Sequence, residues 1–262
     1  MARGDRDRAA WEAGDYPDVA RTIEEVSPVT VEAVGAVAGD ELLDVATGTG
    51  NTALVAARLG ARVIGLDIVP QLLEVARERA AAEGLPIDFV EGDAAALPFA
   101  ASSFDRVTSV FGAMFAAEQP ETAAEMLRVC RPGGTIAVAA FTPNGLNGQM
   151  FATTARHLPP PPGFKPPVLW GDEDHVRALF AGAADLTFER RTYPIVGDSP
   201  AGWVEYLSSV LGPLVQTRRA LEADGRWPAA RDDLVALYAA HNEATDGSLR
   251  ARAEYLLTVV AR

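Results

Sequence analysis

Short apolar runs alternate with longer helical patterns between Glu41 and Phe141. The apolar runs predict five strands, at residues 42–46, 62–67, 87–90, 104–110 and 135–141. Between them, segments 52–59, 70–83 and 120–130 carry apolar residues at helical spacing. Pro70 suits the first turn of a helix and Gly84 suits its end, which sets the limits of the second helix. Strands that alternate with helices in this way predict a parallel sheet covered on both faces.

The regular alternation ends after Phe141. Residues 142–170 contain the proline runs 159–162 and 166–167, which cannot enter a central strand, so we expect a loop over the edge of the sheet. Beyond this loop the pattern predicts a helix at 172–181, a strand at 186–195, helices at 201–211 and 232–243, and a terminal strand at 255–260.

The composition excludes several classes of partner. The 262 residues include 23 basic and 36 acidic side chains, a formal charge of −13, without the basic clusters that bind nucleic acid or anionic lipid. No signal peptide or membrane span is predicted, and Cys130, the single cysteine, cannot form an internal disulfide. We therefore expect a cytoplasmic protein that binds neither nucleic acid nor membrane.

A glycine-rich turn follows the first strand. Residues 42–53, Leu-Leu-Asp-Val-Ala-Thr-Gly-Thr-Gly-Asn-Thr-Ala, pass from a strand through the turn into a helix. Glycines allow close approach of a ligand, and the free N–H groups of a helix N-terminus favour an anion. The run also satisfies the dinucleotide fingerprint, and Asp67, at the end of the next strand, could bind a ribose in either case. The turn alone does not separate a nicotinamide cofactor from S-adenosylmethionine.

Asp44 favours the second cofactor. A carboxylate inside the first strand is costly when it is buried alone, and the ammonium and sulfonium groups of S-adenosylmethionine would offset that cost. A dinucleotide would instead bring its pyrophosphate near this carboxylate. The competing interpretation is a carboxylate that only hydrogen-bonds the following turn.

These motifs resemble, in order, those of the class I S-adenosylmethionine-dependent methyltransferases. Residues 42–53 resemble motif I, 65–68 and 91–94 the next two motifs, and 96–105 and 128–134 the stretches before the fourth and fifth strands. The resemblance covers roughly residues 39–141 and is greatest to the ubiquinone and menaquinone C-methyltransferases. One departure is Ala46, where many relatives have glycine, followed by Thr47 at the end of the strand.

The resemblance implies a fold, a domain organisation and a cofactor site. The fold is α/β, with a Rossmann-like, doubly wound, seven-stranded and mostly parallel sheet, an antiparallel last strand and a helical lid insert. Residues 1–38 would form an N-terminal helical cover, 39–198 and 249–262 the core, and 199–248 the lid. Asp67 would hold the ribose hydroxyls and Asp93 the adenine amino group. The implied cofactor-binding residues are Tyr16, Asp44, Ala46, Gly48, Thr49, Gly50, Asp67, Ile68, Asp93, Ala94 and Val110.

The acceptor site is less defined. Phe111, Met114 and Phe115 follow the fourth strand and would face the space above the sheet, while Trp203 and Tyr206 lie on a predicted lid helix. They suggest an apolar acceptor, although the same residues could be ordinary packing. A catalytic residue is not identified by the sequence.

Histidines and acidic residues supply further candidates. His241 and His157 are candidate general bases, and His175 is a weaker one. The acidic run at 172–174 suits a helix N-terminus with Asp172 as its N-cap, so we expect no metal there.

We interpret the chain as an S-adenosylmethionine-dependent methyltransferase that methylates an oxygen, carbon or nitrogen of a small, largely apolar molecule, as a monomer or homodimer. The alanine- and arginine-rich usage with a single lysine, Lys165, suggests bacterial specialised metabolism. Quinone C-methylation, a nicotinamide oxidoreductase and a non-catalytic cofactor-binding or scaffold protein are the alternatives.

Overall fold

Seven strands form one sheet in this computed structural model, which describes Arg8, Ala9 and residues 11–262. The strand order is β3-β2-β1-β4-β5-β7-β6. The strands are β1 Glu41–Val45, β2 Arg62–Asp67, β3 Ile87–Glu91, β4 Phe104–Val110, β5 Cys130–Phe141, β6 Asp185–Gly197 and β7 Leu249–Ala261.

The sheet is parallel except for its last strand. β1 pairs in parallel with β2 and β4, β2 with β3, and β4 with β5. β7 runs antiparallel to both β5 and β6, between which it lies. The fold expected from the sequence is therefore confirmed. The strand order reverses between β1 and β4, at the centre of the sheet. In sheets of this kind, ligands bind at such a switch point, beyond the carboxyl ends of the strands.

Helices cover both faces of this sheet. Those described are α1 Tyr16–Thr22, α2 Val26–Ala33, α3 Asn51–Arg58, α4 Pro70–Glu83, α5 Gln119–Val129, α6 Leu146–His157, α7 Glu173–Leu179, α8 Pro200–Val210, α9 Gly212–Glu222 and α10 Trp227–Ala240. α4 has the predicted limits, and it ends at Gly84, whose φ of 66° is left-handed. Asp172 caps α7 as expected, because its side chain accepts a hydrogen bond from the backbone N–H of His175.

The prediction of a loop over residues 142–170 was wrong in part, because this segment contains the 12-residue helix α6. The prediction rested on the proline runs 159–162 and 166–167, which lie beyond the end of this helix at His157. A Cβ on Gly148 would lie 2.2 Å from the carbonyl oxygen of Pro143, so close packing against the preceding turn requires glycine inside this helix. The proline-rich remainder ends in a short 3₁₀ helix, Pro167–Gly171, whose Trp170 is buried in the core.

Alternating side chains of β1 belong to two hydrophobic clusters. Leu42 packs with the residues of α2, α3 and α4 on one face, and Leu43 packs on the other face with α5, α6 and the strands β4 to β7. Both side chains are fully buried, as expected for a strand at the centre of a sheet covered on both faces. Cys130 lies in the second cluster, and burial raises the pKa of its thiol to about 11.

The helices outside the alternating core pack against one another beside the carboxyl end of the sheet. α10 contacts both α6 and α8, α9 contacts α8, and α1 contacts α8 and α4. Among the residues that the structure describes, no helix has the length and apolar character needed to cross a bilayer.

Candidate active site

A cavity lies where β1, β2, β3 and β4 end, at the switch point of the sheet. The empty space within its lining, including the part open to solvent, is about 640 Å³. Because parallel strands deliver their carboxyl ends to one edge, it brings together residues far apart in the sequence. The described residues that line it are Trp11, Tyr16, Ala46, Gly48, Leu66, Asp67, Ile68, Leu72, Gly92, Asp93, Ala94, Phe111, Gly112, Phe115 and Ala116.

Asp67 is the last residue of β2 and lies in the wall of this cavity. One carboxylate oxygen accepts a hydrogen bond from the N–H of Gly48 at 2.8 Å, and the other accepts one from the N–H of Val69 at 2.9 Å. Burial raises the pKa of Asp67, and these backbone donors oppose the rise. The carboxylate therefore connects β2 to the glycine turn and still presents acceptor capacity to the cavity.

Asp93 also lines this cavity, two residues after β3. Its carboxylate accepts a hydrogen bond from the N–H of Ala95 at 2.8 Å, which orders the turn that carries Ala94. Asp93, Ala94 and Ile68 all line the cavity with Asp67, so the structure brings this part of the predicted cofactor set together.

Asp44 lies in a second, smaller cavity under the glycine turn. This space of about 290 Å³ is also lined by Tyr16, Thr47, Thr49 and Val110. The two carboxylate oxygens of Asp44 accept hydrogen bonds from the hydroxyl groups of Thr47 at 2.6 Å and Thr108 at 2.8 Å. The bond to Thr47 is the one that the competing interpretation required, yet the carboxylate also faces a cavity.

The electrostatics of Asp44 are unfavourable for its charged form. Only 2% of the residue is exposed, and burial, with a smaller contribution from the charge of Asp67, raises its pKa to about 6. The hydroxyls of Thr47 and Thr108 and the N–H of Ala53 act in the opposite direction. A cation in the cavity would stabilise the carboxylate further.

Tyr16, on the first turn of α1, covers the glycine turn. A Cβ on Gly48 would lie 2.7 Å from the Cε1 atom of Tyr16, so the ring packs against a position where no larger residue fits. Burial, and then the charges of Asp67 and Asp44, raise the pKa of Tyr16 and keep its hydroxyl neutral. Trp11 meets this ring edge-on with a centroid separation of 5.5 Å.

Ala46 has a backbone conformation that favours glycine. Its φ is +53°, in the left-handed region, which explains why a glycine suits this position in the resembling family. Gly112 compensates for the extra methyl group, because a Cβ there would lie 2.6 Å from the Cβ of Ala46.

Hydrogen bonds from α4 and to α1 hold the glycine turn. The guanidinium of Arg79 donates to the carbonyl oxygen of Thr49 at 2.7 Å and to the side-chain oxygen of Asn51 at 2.7 Å. Asn51 donates in turn to the carbonyl of Ala20 in α1 at 2.8 Å. Gly50 has a φ of +84° and packs against Ala76 and Phe89; it does not line either of the two cavities described so far.

A third cavity, the aromatic cavity, adjoins the first and has a volume of about 570 Å³. Trp11, Tyr16, Phe111 and Phe115 line both and therefore form their common wall. The described residues that line the aromatic cavity are Trp11, Tyr16, Val19, Thr22, Ile23, Phe111, Phe115, Phe141, Asn147, Met150, Phe151, Tyr193, Ile195, Trp203, Leu207 and Leu211.

Three of the five predicted acceptor-site residues line this cavity and two do not. Phe111, Phe115 and Trp203 lie in its wall. Met114 is 1% exposed and packs in the core, because the 3₁₀ turn Ala113–Phe115 directs neighbouring side chains to different sides. Tyr206 lies next to Trp203, at a ring separation of 5.4 Å, and is absent from the cavity lining.

None of the three histidines lines a described cavity. His157 contacts the carboxylate of Asp233 at 2.9 Å, His241 is exposed beside Gln149, and His175 contacts the side-chain oxygen of Gln119 at 2.8 Å. Burial lowers the pKa of His175. The histidines are therefore placed for contacts between helices, and the hypothesis of a histidine base loses its geometric support.

Sequence reasoning missed much of the aromatic cavity. Asn147 and Phe151 lie on the unpredicted helix α6, and Tyr193 lies on β6. Asn147 and Tyr193 are both nearly buried, although no local motif marks them. The alternation of β6 did carry a signal, since Tyr193 and Ile195 are spaced to face the same side of the strand.

The fold and the cavity at the switch point define a Rossmann-like α/β protein with Asp67 and Asp93 in the lining of its candidate site. The family model described as "Methyltransferase domain" matches residues 43–138. An uncharacterized protein of Mycobacterium tuberculosis (strain ATCC 25618 / H37Rv) is 40% identical over 213 residues, which cover 80% of this chain and 78% of that protein.

Two further proteins are similar, one to part of the sequence and one to the fold. A demethylmenaquinone methyltransferase of Renibacterium salmoninarum is 46% identical over 114 residues, 44% of this chain and 46% of that enzyme. The crystal structure of the YcgJ protein from Bacillus subtilis has a TM-score of 0.63 at 20% identity and covers 91% of this chain and 98% of that chain. The chain belongs to the class I S-adenosylmethionine-dependent methyltransferases, and S-adenosylmethionine is its cofactor.

Proposed function

We propose that this protein transfers a methyl group from S-adenosylmethionine to an oxygen, carbon or nitrogen of a small, largely apolar molecule. The observation that carries the proposal is the pair of adjoining cavities. One is lined by Asp67 and Asp93, the other by aromatic and aliphatic side chains, and they share the wall formed by Trp11, Tyr16, Phe111 and Phe115. A donor and an acceptor bound in these two cavities would meet at that wall.

The residues of the first two cavities fit the cofactor. Asp67 would offer a carboxylate to two ribose hydroxyls, and Asp93, also in the lining, would offer one to the adenine amino group. The buried carboxylate of Asp44, which accepts hydrogen bonds from two threonine hydroxyls, would pair with the positive charge of the methionine portion. Tyr16 would close over the occupied site from the side of α1.

Catalysis would come chiefly from alignment and from exclusion of water. When bound, S-adenosylmethionine supplies a methyl group already activated by its sulfonium, and the electron pair of the broken carbon–sulfur bond stays on sulfur. The common wall would hold the acceptor atom in line with that carbon. No carboxylate or imidazole is found among the described residues of the aromatic cavity, so a protonated nucleophile would release its proton to water as the site opens.

The proposal includes the domain organisation expected from the sequence. Residues 1–38 would be the cover, 39–198 and 249–262 the core, and 199–248 the lid. Two observations support it: α1 contributes Tyr16 and Val19 to the cavities, and α8 contributes Trp203 and Leu207. We also propose a setting in cytoplasmic bacterial specialised metabolism, in agreement with the lysine-poor composition.

Binding of S-adenosylmethionine, measured by calorimetry on the wild-type chain and on Asp67→Asn, tests the cofactor part of the proposal. Loss of the carboxylate should weaken binding by about 10- to 100-fold, the range for hydrogen bonds to a charged group. Asp67 also holds the N–H groups of Gly48 and Val69, so thermal melting must be followed in parallel.

Asp105→Asn is the matched control. Its carboxylate also accepts a backbone N–H, from Glu41, but at the start of β1, away from the cavities. Equal affinities of the two variants would contradict the assignment of Asp67. Release of S-adenosylhomocysteine in the presence of an acceptor panel then tests the methyl transfer itself, and a panel that gives no release at any pH would count against it.

A further inference from the structure

Two polar side chains stand together in the largely apolar wall of the aromatic cavity, which also includes Thr22, whose hydroxyl donates to the carbonyl of Val19. Asn147, near the start of α6, donates from its amide nitrogen to the hydroxyl oxygen of Tyr193 on β6 at 2.7 Å. Asn147 is 6% exposed and Tyr193 is 4% exposed, yet both line the cavity. A buried polar pair of this kind costs free energy unless its remaining hydrogen-bonding groups also find partners.

The arrangement leaves defined hydrogen-bonding capacity. Because the oxygen of Tyr193 accepts from Asn147, its own O–H hydrogen remains free to be donated. Burial raises the pKa of Tyr193, so the hydroxyl stays neutral and keeps that hydrogen. The amide oxygen of Asn147 remains an acceptor. The pair can therefore donate to an oxygen of a ligand, and it can also accept from a hydroxyl.

Aromatic rings surround this pair. Phe111 stacks on Phe141 with 4.2 Å between the ring centroids and an interplanar angle of 23°, and Tyr193 lies 5.7 Å from Phe111. Phe151 closes another part of the wall, 6.4 Å from Phe141. Flat apolar surfaces of this kind favour a planar ring, which offset stacking and edge-on contacts stabilise.

The charge of the cavity restricts the acceptor further. The described part of the lining contains no arginine, lysine, aspartate or glutamate, so neither a carboxylate nor a phosphate would find a charged partner. Burying such a charge without a partner is strongly unfavourable. The cavity is therefore suited to a neutral acceptor.

We propose that the Asn147–Tyr193 pair binds an oxygen of the methyl acceptor, and that the acceptor is a neutral planar aromatic molecule of the phenol or quinol class. This inference rests on the proposed function, because it assigns the aromatic cavity to the acceptor. It names Asn147 and Tyr193 as specificity-determining residues, which hold the acceptor by one oxygen and thereby set its orientation toward the common wall.

The test compares two probes of the same shape, 2-naphthol and 2-methylnaphthalene. Their dissociation constants are measured by calorimetry on the wild-type protein saturated with S-adenosylhomocysteine. We expect 2-naphthol to bind about tenfold more tightly, the value of one net hydrogen bond in a buried site. Tyr193→Phe should remove most of this preference by weakening naphthol binding, while the affinity for 2-methylnaphthalene stays within about twofold.

Tyr238→Phe is the matched control, because Tyr238 is equally buried and its hydroxyl contacts the sulfur of Met150, but it does not line the aromatic cavity. It should keep the wild-type preference. Asn147→Leu is a second test variant, and it should also reduce the preference for 2-naphthol over 2-methylnaphthalene.

Three results would overturn the inference: an equal affinity for the two probes, a preference that survives Tyr193→Phe, or tighter binding of 2-naphthylmethylammonium than of 2-naphthol, which would indicate an amine acceptor held by cation–π contacts. Failure of S-adenosylhomocysteine itself to bind would instead contradict the proposed function. The two failures are therefore distinguishable in one series of titrations.

Discussion

Asp44 is a buried carboxylate whose charged form is disfavoured in the candidate site. Its folded-state pKa of about 6 lies above the ordinary aspartate value of 3.8, so the folded protein binds this proton more tightly than the unfolded chain does. The stability that this proton contributes is complete below about pH 4 and is lost as the pH rises through about 6. Without a cofactor, the ionised carboxylate therefore destabilises the protein at neutral pH.

Asp44→Asn should remove this pH dependence. We expect the variant to gain stability relative to the wild type between pH 4.5 and pH 7.5, by up to about 3 kcal/mol, since one pKa unit corresponds to about 1.4 kcal/mol. Denaturant unfolding of the cofactor-free proteins at several pH values measures the difference. A difference that stays constant across this range would show that Asp44 does not titrate as described.

Ala46→Gly should stabilise the chain. Alanine in the left-handed region costs about 1–2 kcal/mol, and the greater flexibility of unfolded glycine returns about half of this. We expect a net gain of about 0.5–1 kcal/mol in the free energy of unfolding. Ser102→Gly, at φ +56° away from the cavities, is the comparison and should give a similar gain. If only Ser102→Gly stabilises, the methyl group of Ala46 makes a packing contribution that outweighs its strain.

At single positions, sequence reasoning was most effective where a residue follows directly from a strand end. Asp67 ends β2 and Asp93 follows β3. The parallel sheet brings both residues to the same edge. Met114 could not be placed this way, because neighbours in a 3₁₀ turn face different sides and the sequence did not reveal that turn. Tyr206 shares a helical face with Trp203, but only the inner of the two reaches the cavity.

At the scale of elements, the glycine turn depends on α4. Arg79 reaches from this helix to Thr49 and Asn51 and extends toward Glu24 on the segment after α1. It is absent from the cavity lining and so acts as a positioning residue.

Arg79→Met should weaken S-adenosylmethionine binding about tenfold, because the turn loses its charged donor. Arg77→Met is the control on the same helix, since its guanidinium donates to the carbonyl of Phe89 and not to the turn. Calorimetry compares both, and Arg79→Lys should recover part of the loss. An Arg79→Met variant that binds like Arg77→Met would contradict the positioning role.

The two histidines predicted as candidate general bases lie at the ends of α6 and α10. His157, at the end of α6, contacts Asp233 of α10, and His241 follows α10. We expect the double variant His157→Gln/His241→Gln to keep the wild-type pH dependence of S-adenosylhomocysteine release within about twofold at each pH. Loss of the pH dependence of this release in the variant would restore a histidine as the base.

Elements with strong periodicity were predicted well, and α6 shows why others were not. The strands β1 to β4 and the helix α4 needed only local patterns and their flanking residues. The proline runs extended the predicted loop over the α6 segment, whereas in the structure Gly145 and Gly148 at the start of this helix are required by close contacts with residues 142–143 and 254. Such contacts are long-range in part, so local propensity could not identify them.

At the scale of the whole molecule, the sheet places two chemically different cavities side by side. The formal charge of −13 contributes little to the two cavities. Only three of the acidic residues, Asp44, Asp67 and Asp93, are found in the described lining of the proposed cofactor space. On the proposal made above, aromatic surface and the Asn147–Tyr193 pair select the acceptor, and donor and acceptor meet at the wall of Trp11, Tyr16, Phe111 and Phe115.

A crystal structure with S-adenosylhomocysteine bound tests this claim most directly. We predict that its ribose contacts Asp67 and that its adenine lies beside Asp93. Its sulfur atom should lie at the common wall, on the side of the aromatic cavity. A sulfur atom that points away from Phe111 and Phe115, or adenosine bound in the aromatic cavity itself, would contradict the account.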